Sequence, residues 1–253
     1  MATPIHWETS LTTAKARTKK EKKLILMDFY NNLWIGCQQL AAVTYPDSNV
    51  CSSVEKNFIP LQVDFNKNKA LVKRYSIKWT PTVVILDADG DEHHRFIGFL
   101  PPEDFIAQII LGRGKAEFNL DNFEQAIQCF QEILVRYPKT DAAPEAQYFL
   151  GVAKYKASHD PKELKLGLEV LQRDYPNSEW TKKAQVYSLI PWRGYSAQVG
   201  MNGEIYFHYR KRGEIRFDWI SPLFLWVLMA LIFRRVKAIK FYSKKVEEFK
   251  APC

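Results

Sequence analysis

The stretch Leu24-Ile25-Leu26-Met27-Asp28-Phe29-Tyr30, followed by Asn31-Asn32-Leu33 and then by Trp34-Ile35-Gly36-Cys37-Gln38-Gln39-Leu40, decides how this chain is read. A short apolar run of this length is a buried strand. Its one charged residue is Asp28. A carboxylate inside such a strand is costly unless it has a partner or a task. Asn31 and Asn32 open a loop, and Cys37-Gln38-Gln39-Leu40 begins a helix.

Outward from this stretch the pattern alternates. Upstream, Ser10 to Lys23 reads as an amphipathic helix with a serine cap and a basic end, which suits the helix dipole. Downstream, Asp47 to Phe58 reads as helix, Ile59 to Phe65 as strand and Lys67 to Tyr75 as helix. Thr82 to Leu86 is a third strand, Asp89-Gly90 a hairpin turn and Glu92 to Phe99 a fourth strand. Pro101 or Pro102 then opens a helix through Leu111, a position that proline suits. This succession describes an α/β domain over residues 1–111.

The residues just quoted resemble the thioredoxin family. Asp28-Phe29-Tyr30, a short loop and Trp34-Ile35-Gly36-Cys37 are similar to its active-site stretch. Ser76-Ile77-Lys78-Trp79-Thr80-Pro81-Thr82 is similar to its cis-proline loop, and Asp89-Gly90 falls where the family turns its last hairpin. The resemblance implies a central mixed sheet with flanking helices. It implies that Asp28 is a buried acid moving protons for active-site thiols, and that Cys37 is the resolving cysteine, preceded by Gly36. It further implies that Pro81 is cis, and that the Thr80 backbone faces a substrate chain gripped by strand pairing. The expected substrate is a protein disulfide or a peptide.

The departure is Trp34, which stands where the resemblance implies the nucleophilic cysteine. Indole cannot attack a disulfide; that step needs a thiolate or selenolate. Two readings stand open. In one, residue 34 is natively selenocysteine, its UGA codon translated as Trp, and forms a redox pair with Cys37. In the other, Trp34 is genuine and the domain is a redox-inactive adaptor that binds proteins or peptides. A lone buried Cys37 would then be a small hydrophobe.

Beyond Leu111 the apolar period becomes helical. Tyr137-Pro138, Thr140, Asp141, Ala146 and Gln147 recur 38 residues later as Tyr175-Pro176, Ser178, Glu179, Ala184 and Gln185. Such a period marks stacked helical hairpins. Gly114, Phe123, Ala126, Phe130 and Pro138 resemble tetratricopeptide spacing, so residues 112–191 are expected to be an all-α segment of that type that binds a protein partner. The Tyr-Pro-x-Ser/Thr ends are similar to those of bacterial envelope-assembly members of that superfamily. Two hairpins and a capping helix, Trp180 to Leu189, are few for independent stability, so packing on the first domain or on a partner is expected.

The formal charge of +8 is concentrated: residues 193–253 carry +7 of it, leaving +1 for residues 1–192. The main body thus gives no electrostatic ground for nucleic-acid binding. The tail, 192–253, is basic and aromatic. Its apolar run Ile220–Phe233 is short for a membrane span, and basic residues flank both ends. Residues 219–245 are therefore expected to touch a membrane surface. The competing reading is that a second UGA, at Trp192, makes residues 193–253 translated non-coding sequence. Four widely spaced cysteines are no disulfide framework, and no apolar leader opens the chain. The expected setting is cytoplasmic, with membrane association through the tail as the alternative. No nucleotide, haem or metal signature is present, and no cofactor is expected. His93-His94 reads as an ordinary strand pair, because neighbours on a strand face opposite ways.

Overall fold

The computed structural model describes residues 4–191 and three strands at 195–199, 205–211 and 214–217. Residues 4–190 belong to one compact unit and the three strands to a second. The first unit opens with α1 (Leu11–Glu21), capped by Ser10 and ended by Lys22 in the left-handed conformation. β1 (Leu24–Tyr30) comes next. α2 (Ile35–Gln39) continues directly into a single π turn, Leu40–Thr44. α3 (Ser48–Asn57) is capped by Asp47, whose carboxylate accepts from Asn49 and Val50 N–H. Then come β2 (Phe58–Asp64), α4 (Lys69–Arg74), β3 (Thr82–Leu86) and β4 (Glu92–Ile97).

The sheet order is β2-β1-β3-β4, with β1 and β2 parallel and the other pairs antiparallel. A parallel pair needs a crossover, which α2 and α3 provide. β2 lies at the sheet edge, and its outer side is covered by Glu8, which exchanges backbone hydrogen bonds with Pro60 and Gln62. One sheet face buries Leu26, Val83 and Ile85 beneath α3 and the next helix, α5 (Pro102–Asn119). The other buries Ile25, Met27, Phe29 and Val84 with residues of α1 and the loop after α4. Each fully buried side chain of this size contributes about 1.5–3 kcal/mol.

The expected strand Glu92–Phe99 stops at Ile97. Gly98 has φ +97°, and its N–H turns to donate to Pro81 O at 2.9 Å. The helix expected to end at Leu111 runs to Asn119, because no residue between Pro102 and Asn119 breaks it. Its first turns bury Phe105, Ile106, Ile109 and Ile110 on the sheet; its last turns pack on α6 (Phe123–Arg136). The helix is thus continuous across residue 111. α7 (Ala142–Ser158), α8 (Lys162–Asp174) and α9 (Glu179–Ala184) complete the helical part. The last is shorter than the expected Trp180–Leu189, and Gln185–Leu189 form a 3₁₀ turn.

The sequence repeat has a structural counterpart. Tyr137 and Tyr175 end α6 and α8 with nearly equal dihedrals, φ −131° and ψ 44° against φ −134° and ψ 50°. Thr140 N–H bonds back to Tyr137 O, and Ser178 N–H to Tyr175 O. The helices pack on the sheet domain and share its core: Phe130, Ala146 and Leu150 belong to the same apolar cluster as Leu26 and Phe105. Polar contacts add to this junction. Arg113 donates to Asn57 Oδ1, and Lys115 reaches Glu145 Oε1 at 2.8 Å and His94 Nδ1 at 3.3 Å. His94 is buried on β4 facing α5, while His93 bonds Asp87 and Asn119. Among the described residues no cluster of His, Cys, Asp and Glu could hold a metal, and no helix is long and apolar enough to cross a membrane.

The second unit is a three-stranded antiparallel sheet, β5 (Tyr195–Val199), β6 (Ile205–Lys211) and β7 (Glu214–Phe217). The apolar run 220–233, the segment 219–245 and Trp192 lie outside the described residues.

The close approach of α5 and α6 rests on Gly114. A Cβ there would stand 2.6 Å from Phe130 Cε1, and Phe130 is fully buried. Gly114→Ala gains about 1 kcal/mol of helix propensity, and overpacking costs about 1–3 kcal/mol. The expected net result is a loss of about 1 kcal/mol in urea denaturation. Phe130→Leu in the same chain should relieve it, giving a non-additive double-mutant cycle.

Candidate active site

The site lies where β1 ends, α2 begins and the loop before β3 passes beneath. Trp34 is the residue immediately before α2, with an extended backbone (φ −95°, ψ 129°), and its carbonyl accepts from Cys37 and Gln38 N–H. Its indole is 47% exposed and lies edge-on to Trp79, centroids 6.4 Å apart at 85°. With Leu33, Ile35 and Trp79 it forms an exposed apolar rim.

Cys37 sits one turn into the helix and is buried. Its Sγ accepts from Asn31 N–H at 3.4 Å. Burial pushes the thiol pKa up and the Asp28 charge pushes it further, while Asn31 N–H and the Thr80 hydroxyl oppose the rise. Cys37, Cys51 and Cys129 are all free thiols, each buried; Cys51 Sγ donates to Tyr45 O at 3.0 Å.

The peptide bond Thr80–Pro81 is cis. Thr82 Oγ1 donates to Trp79 O at 2.7 Å, and Arg95 donates to Tyr75 O at 2.9 Å, so both ends of this loop are tied down. Gly36 is where α2 meets the loop: a Cβ on it would stand 2.9 Å from Pro81 Cδ. Only a glycine lets the two segments approach this closely.

Asp28 is 1% exposed at the centre of β1, paired with Gln62 on β2 and Val83 on β3. Alternation puts it on the sheet face of Leu26, beneath α2. Gln62 Nε2 donates to Oδ2 at 3.4 Å, and Oδ1 has no hydrogen bond. Burial raises the carboxyl pKa to about 6, against smaller lowering effects from Tyr45 and Gln62.

The structure thus brings together Asp28, Cys37, Gly36, Thr80 and Pro81, with Trp34 at the rim. Asn31, Gln62, Trp79 and Tyr45 also contribute to the site, although no local pattern marks them. Gln62 was open to discovery as the strand partner of Asp28. The others depend on loop and turn geometry that periodicity does not carry.

A buried acid on a strand, a thiol one helical turn in and a cis-proline loop against the start of that helix thus occur within one stretch of fold. Residues 11–111 match the family model described as a thioredoxin-like domain. This part of the chain is a thioredoxin-like domain. The chain is related, at low identity, to thiol:disulfide interchange proteins named DsbD. That of Haemophilus ducreyi is 29% identical over 106 residues, covering 39% of this chain and 18% of the relative. That of Neisseria meningitidis is 30% identical over 87 residues, covering 33% and 14%. The matched segment therefore spans less than a fifth of these curated relatives. Among solved structures, an oxidoreductase named DsbH has a TM-score of 0.41 at 18% identity, covering 44% of this chain and 85% of that one.

Two measurements test this geometry. Asp28 in an unfolded chain ionises near 4, and in the folded domain at about 6. Between these values the native state holds the extra proton. Asp28 therefore contributes stability at low pH that is lost as pH rises through about 6. Asp28→Asn should raise unfolding free energy above pH 7 by on the order of 2–3 kcal/mol and leave it little changed below pH 4. His94 works in the opposite sense. Burial and Lys115 lower it to about 4 from an ordinary 6.5, so its contribution is lost as pH falls through that window. In Asp28→Asn, urea denaturation between pH 4 and 6 should thus show stability rising with pH. Separately, Gly36→Val must displace Pro81 or the start of α2, and a loss of about 1–3 kcal/mol is expected in the same assay.

Proposed function

We propose that the thioredoxin-like domain is a thiol–disulfide oxidoreductase whose residue 34 is natively selenocysteine. The supporting observation is convergence: Asp28, Cys37 and the Thr80–Pro81 loop all meet at the junction that Trp34 occupies. A selenolate at residue 34 would lie immediately before α2, at the helix end whose dipole favours an anion. It would attack one sulfur of a substrate disulfide, releasing the other as thiolate. Cys37, giving its proton to Asp28, would then attack the selenium of the mixed intermediate and release the second substrate sulfur. The substrate leaves as a dithiol and a 34–37 selenenyl sulfide remains. An external thiol reductant returns it to the starting state. The relatives' printed names, thiol:disulfide interchange proteins, agree with this class of chemistry. On this reading the helical part, of tetratricopeptide type, holds a protein partner, the setting is cytoplasmic and no cofactor takes part.

The alternative, a redox-silent adaptor, draws on the apolar rim. Leu33, Ile35 and Trp79 are 86%, 69% and 61% exposed, a surface suited to a peptide with no electron transfer.

The codon for residue 34 separates the two: UGA favours selenocysteine, and UGG favours the adaptor. UGA at residue 192 would remove the tail, and with it the membrane-surface role of residues 219–245. At the protein level, Trp34→Cys should reduce insulin disulfides about 100-fold or more faster than the Trp34 chain. Adding Cys37→Ser should abolish the gain. A folded Trp34→Cys protein without turnover rules out the oxidoreductase.

A further inference from the structure

The helix carrying Cys37 does not continue as an α-helix. Its π turn is closed by Tyr45 N–H to Leu40 O at 2.8 Å. Each residue of an α-helix advances the chain by about 100°. A π turn takes in one more residue than an α turn, so the side chain after it points about one residue step, roughly 100°, away from where an unbroken α-helix would aim it. That side chain is Tyr45. Its ring is held edge-on by Trp7, centroids 5.1 Å apart at 61°, and by Phe105, 5.7 Å at 82°.

This clamp sends the Tyr45 hydroxyl inward. Among the described residues, three buried side-chain oxygens have no hydrogen bond: Thr18 Oγ1, Asp28 Oδ1 and Tyr45 Oη. The last two belong to groups that act on each other. The hydroxyl works to lower the Asp28 pKa, and Asp28 helps hold the tyrosine well above its ordinary range. They are near neighbours, but neither oxygen meets the geometry of a direct hydrogen bond. A buried tyrosine hydroxyl ordinarily finds a partner, and an ionised carboxylate is a far better acceptor than a neutral acid.

We propose that Tyr45 is a positioning residue of the redox site, whose hydroxyl donates to Asp28 Oδ1 when the carboxyl is ionised and holds the carboxylate that takes the Cys37 proton. This rests on the reading of Asp28 as proton acceptor given under the proposed function. In the step served, the Cys37 S–H bond breaks, its proton goes to the Asp28 carboxylate and a thiolate remains. Tyr45 keeps its own proton throughout. When Asp28 is neutral the hydrogen bond weakens, so Tyr45 favours the charged, accepting form. The titratable groups facing Asp28 are Cys37 from α2 and Tyr45 after the π turn. β2 offers neutral Gln62 and β3 offers Val83; among the described residues no cation acts on Asp28.

The test uses the full chain, with aspartate carboxyls labelled for carbon NMR and Cys37 alkylation by iodoacetamide followed by peptide mass against pH. In the parent chain Asp28 should titrate at about 6. In Tyr45→Phe, which keeps the ring, the transition should move up by about one pH unit, and the inflection in Cys37 alkylation should move with it. Tyr45→Met, also lacking the hydroxyl, should give the same shift. In Asp28→Asn the inflection should vanish, and adding Tyr45→Phe should change nothing more. An Asp28 transition unmoved in both Tyr45 variants overturns the inference and leaves the proposed function standing. A parent Asp28 that titrates near 4 overturns both.

Discussion

Helix α5 is the constraint on which the rest of the molecule depends. One side of its first three turns closes the sheet with Phe105, Ile106, Ile109 and Ile110, and its last turns are the first member of the helical stack. The two ends need different neighbours, and the glycines provide for both. A Cβ at Gly112 would stand 2.7 Å from Ile85, and one at Gly114 would meet Phe130. The helix thus lies close to β3 on one side and to α6 on the other. Because it is continuous, the sheet and the hairpins form one apolar core, and neither can shift without straining the other. The Arg113–Asn57 and Lys115–Glu145 contacts satisfy polar groups at this junction and fix its register.

That rigidity matters at the site. Phe105, from α5, is one jaw of the clamp on Tyr45, and Tyr45 reaches the carboxyl under Cys37. On the other side, Gly98 N–H holds Pro81 O, and Pro81 bears on Gly36. The thiol is fixed between these supports. The cost is a buried carboxyl with one oxygen unpaired, and burial of this kind persists in a marginally stable domain only where something offsets it. Here the offset is a fully packed strand: Asp28 has Met27 and Phe29 on either side, both fully buried on the opposite face of the sheet.

Much of the fold was legible because its signals are local. The apolar run at 24–30, the serine cap before α1 and the proline opening α5 each act over a few residues. The repeat of Tyr-Pro with Thr or Ser was readable for the same reason, as it codes for one way of ending a helix. The ends of elements were less legible. β4 stops at Ile97 because Gly98 is recruited by Pro81, which lies 17 residues earlier. α5 passes Leu111 because nothing local stops it, and the change of neighbour along its length leaves no mark in periodicity.

An α/β domain with a buried acid, a helix-start cysteine and a proline loop, followed by stacked helices, is written in the order of the residues. It can be read there because strand, helix and turn propensities reside in short windows. That the two parts share one core, that Gly36 touches Pro81 and that Tyr45 is buried beside Asp28 emerge only once the chain is packed. The reason is physical. Each of these is a contact between segments whose approach depends on packing summed over the whole core, and the inward turn of Tyr45 hangs on one extra residue in one helical turn.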